Sequence, residues 1–388
     1  MKKILFVTNK LVTGGMEIAL FETVKILKSC GFDITVAVAN QGGDLFEDFK
    51  QICTIKDLSL QYSKAYINKA AFTDNLKRMK LFSAAKNLYV LLTNRFLSYF
   101  GKKERIAKKM LSDPVEYDVA VAYATPYTSF VPYIIEKVNS KRKIAWIQLD
   151  VATYLPHIDL SDFEKCYAKL NTIVCDSKSS RESFISRHPP LTEKTVVIRN
   201  PLNIEEMREK SKDAIELTKD EKELFICSVG RLNHVKGFDL AISAHKMLKD
   251  KGYRIKWMIC GSGEEIDNLK SAIQDNGLEN EFILLGNQKN PYKYMGSSDI
   301  YVQTSRSESY CLTLAEARAL KKPIVTTNFP AAYEHITDGH NGFIIKMEPA
   351  AIASAIEKLI LSPELRKQFS ENVKPIDSDY ADLKKLFE

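Results

Sequence analysis

The sequence predicts an α/β protein of two doubly wound domains, each built on a parallel sheet. Runs of consecutive apolar residues, typical of strands buried on both faces, alternate with amphipathic helical segments. The alternation forms two successive series, and each series is sufficient for a Rossmann-like domain. The length of 388 residues also exceeds the size at which one hydrophobic core usually stops growing.

The predicted strands divide into a series of six and a series of five. Those of the first series are residues 3–7, 34–39, 119–122, 143–147, 172–175 and 196–198. Those of the second series are residues 224–229, 256–259, 282–285, 300–303 and 323–326. Pro201 interrupts regular structure between the two series. We therefore expect domains at 1–200 and 201–375, with a helix at 376–388 that crosses back to the first domain.

The composition is that of a soluble globular protein, with 45% apolar and 27% charged residues. The basic opening MKKILFVTNK contains too short an apolar run for a signal peptide and is predicted to be a buried strand. No apolar run is long enough to span a bilayer. We expect a cytoplasmic protein, either free or on the inner face of the cytoplasmic membrane.

The positive charge is concentrated in residues 64–109. This segment contains twelve Lys or Arg residues and only two acidic residues, Asp74 and Glu104. Its net charge is therefore +10, whereas the whole chain carries +7. Aromatic and aliphatic residues are interleaved at roughly helical spacing, which suits an anionic membrane surface. The alternative is a pair of solvated helices with their apolar side in the core. Nucleic-acid binding is disfavoured because the rest of the chain is acidic.

The seven cysteines are scattered, and no two form a C-x-x-C pair. This pattern predicts reduced thiols rather than a disulfide framework or a zinc site. Cys311 lies within a candidate site but has no histidine or other base nearby in sequence, so we expect it to take no part in chemistry.

Two segments could bind a phosphate after a buried strand. In VTNKLVTGGMEIAL, Gly14 and Gly15 precede a helix, where free N–H groups and close backbone approach suit an anion; a tight strand-to-helix turn explains them equally well. The spacing is not that of a dinucleotide fingerprint. In SVGRLNHVKGFDLAI, Arg231 and Lys236 offer a planar fork and a mobile charge, which suit a diphosphate.

Two further segments carry glycines or carboxylates. In MICGSGEEIDNL, Gly261 and Gly263 end a strand and either line a nucleobase pocket or form a turn. In ESYCLTLAEARALKKPIV, Glu308 is predicted in a loop and Glu316 in the following helix, from about residue 314 to 320. Both carboxylates can accept hydrogen bonds from hydroxyls on either side of a diphosphate, as in a sugar nucleotide. Glu316 could instead interact only with the helix dipole.

The chain resembles a retaining glycosyltransferase of the GT-B type, family 4 or glycosyl transferases group 1, of the kind that builds bacterial surface polysaccharides. The matching segments are TGGMEIAL, RNPLNIEEM, SVGRLNHVKGFDLAI, ICGSGEE and ESYCLTLAEARALKKPIVTT, the last with its E-x7-E spacing. They occur in order over nearly the whole chain. The resemblance implies two Rossmann-like domains that face each other across a cleft.

The resemblance also implies roles for the site residues. Glu316 would bind the ribose hydroxyls and Glu308 the transferred sugar, helped by backbone N–H groups of the residues between them. Arg231 and Lys236 would bind the diphosphate, which Gly15 would approach from the first domain. The full set expected to bind the donor is Gly14, Gly15, Arg231, Lys236, Gly261, Gly263, Glu308, Ser309, Tyr310, Cys311, Leu312, Thr313 and Glu316.

No metal is expected, because Arg231 and Lys236 could stabilise the charge that grows on the leaving diphosphate. The only D-x-D, Asp377 to Asp379, lies near the end of the chain and is predicted to cap a helix. One position departs from the family, since many relatives have a histidine where this chain has Gln148. Asp150 then becomes the alternative polar group facing the acceptor, and the expected catalytic residues are Glu308, Arg231, Lys236 and Asp150.

The leading functional hypothesis is transfer of a hexose from UDP-hexose to a saccharide or polyprenyl-diphosphate-linked acceptor in bacterial surface glycan synthesis. A GDP-mannose-dependent mannosyltransferase is the alternative within the same class. Gln148 also leaves open a catalytically weak partner subunit that binds a nucleotide sugar. A nicotinamide dehydrogenase is poorly supported without the dinucleotide fingerprint.

Overall fold

The computed structural model describes residues 1–65, 99–123, 127–154, 161–218, 220, 223–374 and 380–388. The chain divides into two compact units. The first contains Met1–Arg199 together with Ala381–Glu388, and the second contains Asn200–Tyr380. Most of the basic segment and the D-x-D motif lie outside the described residues.

The first unit is built on a seven-stranded parallel sheet. Its strands are β1 Lys3–Thr8, β2 Asp33–Val38, β3 Thr54–Asp57, β4 Glu116–Ala122, β5 Asn139–Ile147, β6 Thr172–Cys175 and β7 Thr195–Val197. Their order in the sheet is β3-β2-β1-β4-β5-β6-β7, so the direction of winding reverses between β1 and β4. The helices are α1 Gly15–Ser29, α2 Phe46–Ile52, α3 Ser59–Ala65, α4 Tyr99–Lys109, α5 Phe130–Lys137, α6 Val151–Tyr154, α7 Ser161–Tyr167 and α8 Lys178–Arg187.

The second unit is built on a six-stranded parallel sheet. Its strands are β8 Leu224–Val229, β9 Ile255–Cys260, β10 Phe282–Gly286, β11 Ile300–Gln303, β12 Ile324–Thr327 and β13 Phe343–Ile345. The order is β10-β9-β8-β11-β12-β13, with the reversal between β8 and β11. The helices are α9 Ile204–Lys210, α10 Phe238–Asp250, α11 Ile266–Asp275, α12 Tyr292–Ser297, α13 Leu312–Ala319, α14 Ala332–His335, α15 Pro349–Leu361 and α16 Pro363–Glu371.

These sheets confirm the prediction of two doubly wound α/β units. Sequence reasoning missed two strands, β3 and β13, and each lies at an edge of its sheet. An edge strand pairs on one side only, so it can be short and partly exposed, and its sequence lacks the continuous apolar run of a central strand. Every residue of β3 and β13 is indeed partly or fully exposed.

The last helix, α17 Ala381–Phe387, belongs to the first unit. Leu383 and Phe387 are buried, and the Phe387 ring lies 5.8 Å from the ring of Phe6 on β1. The core of the first unit therefore includes residues from both ends of the sequence. No helix among the described residues has the length and apolar character needed to cross a membrane.

The core of the second unit contains a buried histidine between two aromatic side chains. The ring of His245 on α10 lies 5.9 Å from the rings of both Trp257 and Phe282. Burial, assisted by the charge of Lys249, lowers the pKa of His245 from 6.5 to about 4. His245 in the unfolded chain therefore binds a proton near pH 6.5, whereas in the folded unit it does so only near pH 4. The free energy of unfolding decreases as the pH falls between these two values.

We predict that replacing His245 with Phe removes part of the acid sensitivity of the second unit. The loss of unfolding free energy between pH 6.5 and pH 4 should shrink by up to about 3 kcal/mol, because the neutral ring has no proton to bind. In a Trp146→Phe background, the fluorescence of Trp257 reports the unfolding of this unit alone. The exposed His340, changed to Gln, serves as the control. An unchanged pH dependence in the His245→Phe variant would contradict the prediction.

Candidate functional site

The strongest candidate site lies where the winding of the second sheet reverses. In doubly wound sheets the loops that leave the carboxyl ends of the strands diverge at such a reversal, and ligands bind in the crevice between them. Here the strands are β8 and β11. The loop after β8 carries Arg231 and Lys236, and the loop after β11 carries Glu308. The fold thus brings together two segments that are more than seventy residues apart in sequence.

Lys236 and Glu308 form an ion pair at this edge. The Lys236 Nζ lies 2.5 Å from the Glu308 Oε1, with the two side chains 19% and 12% exposed. Burial lowers the pKa of Lys236, but the negative charge of Glu308 outweighs it, so the pKa is raised above its ordinary value of 10.5. The lysine is therefore held in its charged form. Arg231, at the start of the same loop, is exposed.

The two loops are tied to each other beside this ion pair. Arg306 makes a bidentate contact with Asp239, at 2.9 and 2.6 Å, and its backbone N–H donates to the Val235 carbonyl at 2.7 Å. The Thr304 hydroxyl donates to the Lys236 carbonyl at 2.9 Å. Gly237 has φ +66°, and a Cβ there would lie 2.1 Å from the Thr304 carbonyl oxygen. The loops can approach this closely only because residue 237 is glycine.

The glycines after β9 pack against the loop after β8. Gly261 has φ +148°, and a Cβ there would lie 1.9 Å from the Gly230 carbonyl oxygen. A Cβ on Gly263 would lie 2.3 Å from the Leu232 carbonyl oxygen. Glycine is therefore required at both positions for packing, because a side chain would prevent the loop after β9 from contacting the loop after β8. This contact shapes the edge of the sheet that carries Arg231.

Helix α13 begins at Leu312, two residues earlier than predicted, so Leu312 and Thr313 lie in its first turn. Cys311 precedes the helix in the left-handed conformation, with φ +65°, which is uncommon for a residue other than glycine. The thiol is buried, and burial raises its pKa well above the ordinary value of 9.0. All seven cysteines are free, and Cys311 is held as an unreactive thiol.

Glu316 lies inside α13 and is only 4% exposed. The Tyr292 hydroxyl, from α12, donates to its Oε1 at 3.0 Å. Burial raises the pKa of Glu316 from 4.5 to about 7, although the hydrogen bond from Tyr292 opposes the shift. A carboxylate kept buried with one neutral donor is costly in an unliganded protein, and additional hydroxyl donors would stabilise its charged form.

The segment between the two glutamates rests on a histidine that sequence reasoning missed. The His335 Nε2 donates to the Tyr310 carbonyl at 2.6 Å, and the two rings lie 4.7 Å apart. Arg318 lies 3.4 Å from the Nδ1 of the same histidine. Ser309 is half-buried, and Tyr310 is buried. His335 comes twenty-five residues after Tyr310 with no recognisable spacing, so only the fold reveals the contact.

In the first unit, Gly14 and Gly15 follow β1, at the reversal between β1 and β4. Gly14 is the N-cap of α1 and has extended backbone, and a Cβ there would lie 2.7 Å from a carboxylate oxygen of Glu17. The preceding Thr13 donates its backbone N–H to Asp44 at 3.0 Å, and its hydroxyl donates to the same carboxylate. The loop is thus braced just ahead of the N-terminus of α1, which has Glu17 in its first turn.

Asp150 and Gln148 lie after β5 and are both engaged within the first unit. The two carboxylate oxygens of Asp150 accept hydrogen bonds from the hydroxyls of Ser183, at 2.5 Å, and Thr153, at 2.6 Å. Gln148 is 6% exposed, and its Nε2 donates to the Tyr123 hydroxyl at 2.5 Å. Asp150 therefore links α6 to α8 through both of its carboxylate oxygens. A catalytic Asp150 would have to act while it makes these two hydrogen bonds.

The described residues contain no group of three or more His, Cys, Asp or Glu placed to hold a metal ion.

Comparison with known proteins shows a similarity to glycosyltransferases. Residues 209–375 match the family model described as glycosyl transferases group 1. An N-acetylgalactosamine-N,N'-diacetylbacillosaminyl-diphospho-undecaprenol 4-alpha-N-acetylgalactosaminyltransferase of Campylobacter jejuni is 28% identical over 210 residues, 54% of this chain and 56% of that protein. The capsular polysaccharide biosynthesis glycosyltransferase CapM of Staphylococcus aureus is 30% identical over 146 residues, 37% of this chain and 38% of CapM. The chain thus spans about half the length, or less, of these curated relatives.

Solved structures extend the likeness to the whole fold. HepE of Anabaena, in complex with UDP and glucose, has a TM-score of 0.71 at 17% identity, covering 100% of this chain and 98% of HepE. TarM of Staphylococcus aureus, in a complex that contains UDP, has a TM-score of 0.72 at 15% identity, covering 100% of this chain and 99% of TarM. At such identities the likeness shows the GT-B fold alone. The matched region, residues 209–375, falls within the second unit, and this unit is therefore the part of the chain that is similar to glycosyl transferases group 1.

Proposed function

We propose that the protein is a retaining glycosyltransferase that moves a hexose from a nucleotide sugar, UDP-hexose in the first instance, to a saccharide or lipid-linked saccharide in bacterial surface glycan synthesis. The observation that carries this proposal is the ion pair of Lys236 and Glu308 at the strand reversal of the second sheet. The ion pair places a charged lysine next to a carboxylate at the edge where such sheets bind ligands.

In this proposal the two charges act on different parts of the donor. Lys236 and Arg231 bind the diphosphate, and they stabilise the negative charge that grows on it as the glycosidic bond breaks. At an effective dielectric constant near 20, one such charge pair at about 4 Å is worth roughly 4 kcal/mol before desolvation. Glu308 accepts a hydrogen bond from the hexose, and Glu316 accepts from the ribose. The leaving phosphate helps to deprotonate the acceptor on the same face, which retains the anomeric configuration.

The choice of UDP is supported by the solved complexes of HepE and TarM, since both contain UDP. We propose that no metal is required, because Arg231 and Lys236 supply the cationic charge. The lipid-linked acceptor is supported by the name of the Campylobacter relative, which acts on a diphospho-undecaprenol saccharide. GDP-mannose is the alternative donor and is separated from UDP-hexose by the experiment below.

A second candidate, a catalytically weak partner subunit, is favoured by one observation. Gln148 cannot titrate, and both oxygens of Asp150 are occupied by Ser183 and Thr153. Such a subunit would bind the donor through the second unit without breaking its glycosidic bond. Release of free nucleotide distinguishes the two, because an active transferase also hydrolyses its donor slowly when no acceptor is present.

We predict that the wild-type protein releases UDP from UDP-glucose in excess EDTA, and that Lys236→Met slows the release about a hundredfold or more by removing charge stabilisation of the leaving diphosphate. UDP release is measured by a coupled nucleotide assay, with GDP-mannose in parallel. Lys346→Ala removes an exposed lysine of the same unit and serves as the control. Release from GDP-mannose alone would transfer the proposal to mannose. Binding without release from either donor would favour the partner subunit, and a need for added metal would contradict the metal-free mechanism.

We predict that Glu316→Gln stabilises the second unit while it weakens nucleotide binding. The pKa of about 7 in the fold, against 4.5, means that a charged Glu316 lowers stability as the pH rises from 4.5 through 7. At pH 8 the amide should therefore raise the unfolding free energy by about 1–3 kcal/mol, a gain that shrinks towards pH 5. UDP affinity should fall about tenfold or more, because an amide is a weaker acceptor for two hydroxyls than a carboxylate.

Chemical denaturation at pH 8 and pH 5, and calorimetric titration with UDP, measure these two effects of Glu316→Gln. The exposed Glu279, changed to Gln, should alter neither quantity. A loss of stability at pH 8 in the Glu316→Gln variant would contradict the burial cost, and an unchanged UDP affinity would contradict the ribose contact. The expected stability trend is opposite in sign to that of His245, so the two partly offset each other in the wild type between pH 4.5 and 6.5.

We also propose that the basic segment docks weakly on an anionic membrane. Its described part includes α4, on which Lys102 and Lys109 are exposed. Reversing both charges, Lys102→Glu with Lys109→Glu, should weaken binding to phosphatidylserine-containing vesicles, measured by sedimentation, about thirtyfold or more, because each cation near such a surface contributes about 1 kcal/mol and the new carboxylates are repelled. Vesicles of phosphatidylcholine alone serve as the control. Equal sedimentation with both vesicle types would contradict the proposal.

A further inference from the structure

The carboxylate of Glu308 is held by three donors, and all of them meet the same oxygen. Besides the Lys236 Nζ, the Ser305 hydroxyl donates to Oε1 at 2.6 Å and the Gln303 Nε2 lies 3.3 Å from it. Every hydrogen bond that the described residues make to this carboxylate ends on Oε1. Three donors on one oxygen hold Oε1 in place, and Oε2 accepts no hydrogen bond from the described residues.

Gln303, which ends β11, is itself held at both ends of its amide. Its Oε1 accepts from the hydroxyls of Tyr301, at 2.7 Å, and Thr313, at 3.1 Å. Its Nε2 donates to the Ser305 Oγ at 2.7 Å, as well as to Glu308. Because a carboxylate only accepts hydrogen bonds, the NH₂ end of the amide must face Glu308, and the two hydroxyl donors on the other side favour the same orientation.

This polar network is buried at the carboxyl end of β11, a strand with neighbours on both sides. Tyr301 and Ser305 are 0% exposed, and Gln303, at the end of β11, is 3% exposed. Burying an amide and two hydroxyls costs free energy unless each finds a partner, and an apolar side chain at position 303 would pack without that requirement. Packing alone therefore does not explain a glutamine here. Its connection to Glu308 does.

We propose that Gln303, acting with Ser305, is a positioning residue for sugar recognition. The pair holds Oε1 of Glu308 against protein donors and thereby presents Oε2 to a hydroxyl of the transferred hexose. Tyr301 and Thr313 fix the direction of the Gln303 amide. This inference rests on the proposed function, in which Glu308 contacts the sugar. It has a specific consequence: loss of the Gln303 and Ser305 side chains weakens recognition of the sugar far more than recognition of the nucleotide. Lys236 keeps its ion pair with Glu308 when these two side chains are removed, and in the proposed function the nucleotide is bound by Lys236, Arg231 and Glu316.

The test compares UDP-glucose with UDP by calorimetric titration of Gln303→Met, Ser305→Ala and the double variant. We expect the affinity for UDP to stay within about twofold of wild type, and the affinity for UDP-glucose to fall about tenfold in the double variant. If Gln303 acts through Ser305, its substitution has a smaller effect in the Ser305→Ala background than in the wild type. Equal losses for both ligands, or no loss for UDP-glucose, would overturn the proposal.

Ser228→Ala is the matched control for general loss of packing or stability. Ser228 is buried on the neighbouring strand β8, where its hydroxyl donates to the Val302 carbonyl at 2.6 Å and accepts from the Trp257 Nε1 at 3.0 Å. It is thus comparable to Ser305 in burial and hydrogen bonding but has no contact with Glu308. We expect Ser228→Ala to lower stability while it leaves the ratio of the two affinities unchanged. A change in this ratio as large as that of Ser305→Ala would assign the effect to packing and overturn the proposal.

Crystal structures of the wild type and the double variant, both without ligand, test the positioning of Glu308 independently of nucleotide-sugar binding. We expect the Glu308 carboxylate to leave its wild-type position in the double variant, and an unchanged carboxylate would overturn the positioning role. If the carboxylate moves, while wild-type affinities for UDP-glucose and GDP-mannose show no contribution from the sugar, the positioning of Glu308 stands. In that case the sugar assignment in the proposed function fails.

Discussion

The reversal of winding between β8 and β11 is the constraint on which the candidate site depends. The chain is wound in opposite directions on the two sides of this reversal, so the loops that follow β8 and β11 diverge. The crevice between them is lined by residues of these loops. The two loops must nevertheless keep a fixed spacing if a lysine on one is to meet a glutamate on the other. The contact of Gly237 with the Thr304 carbonyl and the bidentate pair of Arg306 with Asp239 provide that spacing. Without a glycine at position 237, the backbone contact that sets the distance between Lys236 and Glu308 could not form.

The site is also a place where the second unit gives up stability. Glu316 is a carboxyl group buried beside the hydroxyl of Tyr292, and burial raises its pKa because the charged form loses its hydration. Glu308, by contrast, has a lysine and two neutral donors on one oxygen. The two glutamates of the E-x7-E spacing thus differ in their environment: Glu308 has three donors on one carboxylate oxygen, whereas Glu316 is buried and accepts from the hydroxyl of Tyr292. Active sites commonly combine these two arrangements, because preorganisation and ground-state cost both serve selective binding.

Much of this fold could be predicted from the sequence, because central parallel strands are buried on both faces and leave continuous apolar runs. The strands from Thr172 to Cys175 and from Ile300 to Gln303 were predicted with the bounds that the structure shows. Edge strands such as β13 leave no such run, and they were missed. Glu308 and Lys236 could be named as site residues from their position after strands, but their contact depends on the strand order, which no local pattern encodes. Gln303 was noted only as the end of a strand. Its proposed role depends on four hydrogen bonds, two accepted from Tyr301 and Thr313 and two donated to Ser305 and Glu308, and the sequence does not show that these side chains meet.

The return of α17 to the first unit makes the second unit an insertion within the first. During synthesis, all residues of the second unit, 200–380, leave the ribosome before the helix that places Phe387 against Phe6. Domains tend to fold as units in the order in which they are made, at about 5–20 residues per second. The second unit can therefore reach its folded state while the first still lacks a buried part of its core. The first unit is therefore the first to be synthesised and the last to complete its core. Until α17 has been translated, the side chain of Phe6 on β1 lacks the contact with the ring of Phe387 that it has in the folded protein.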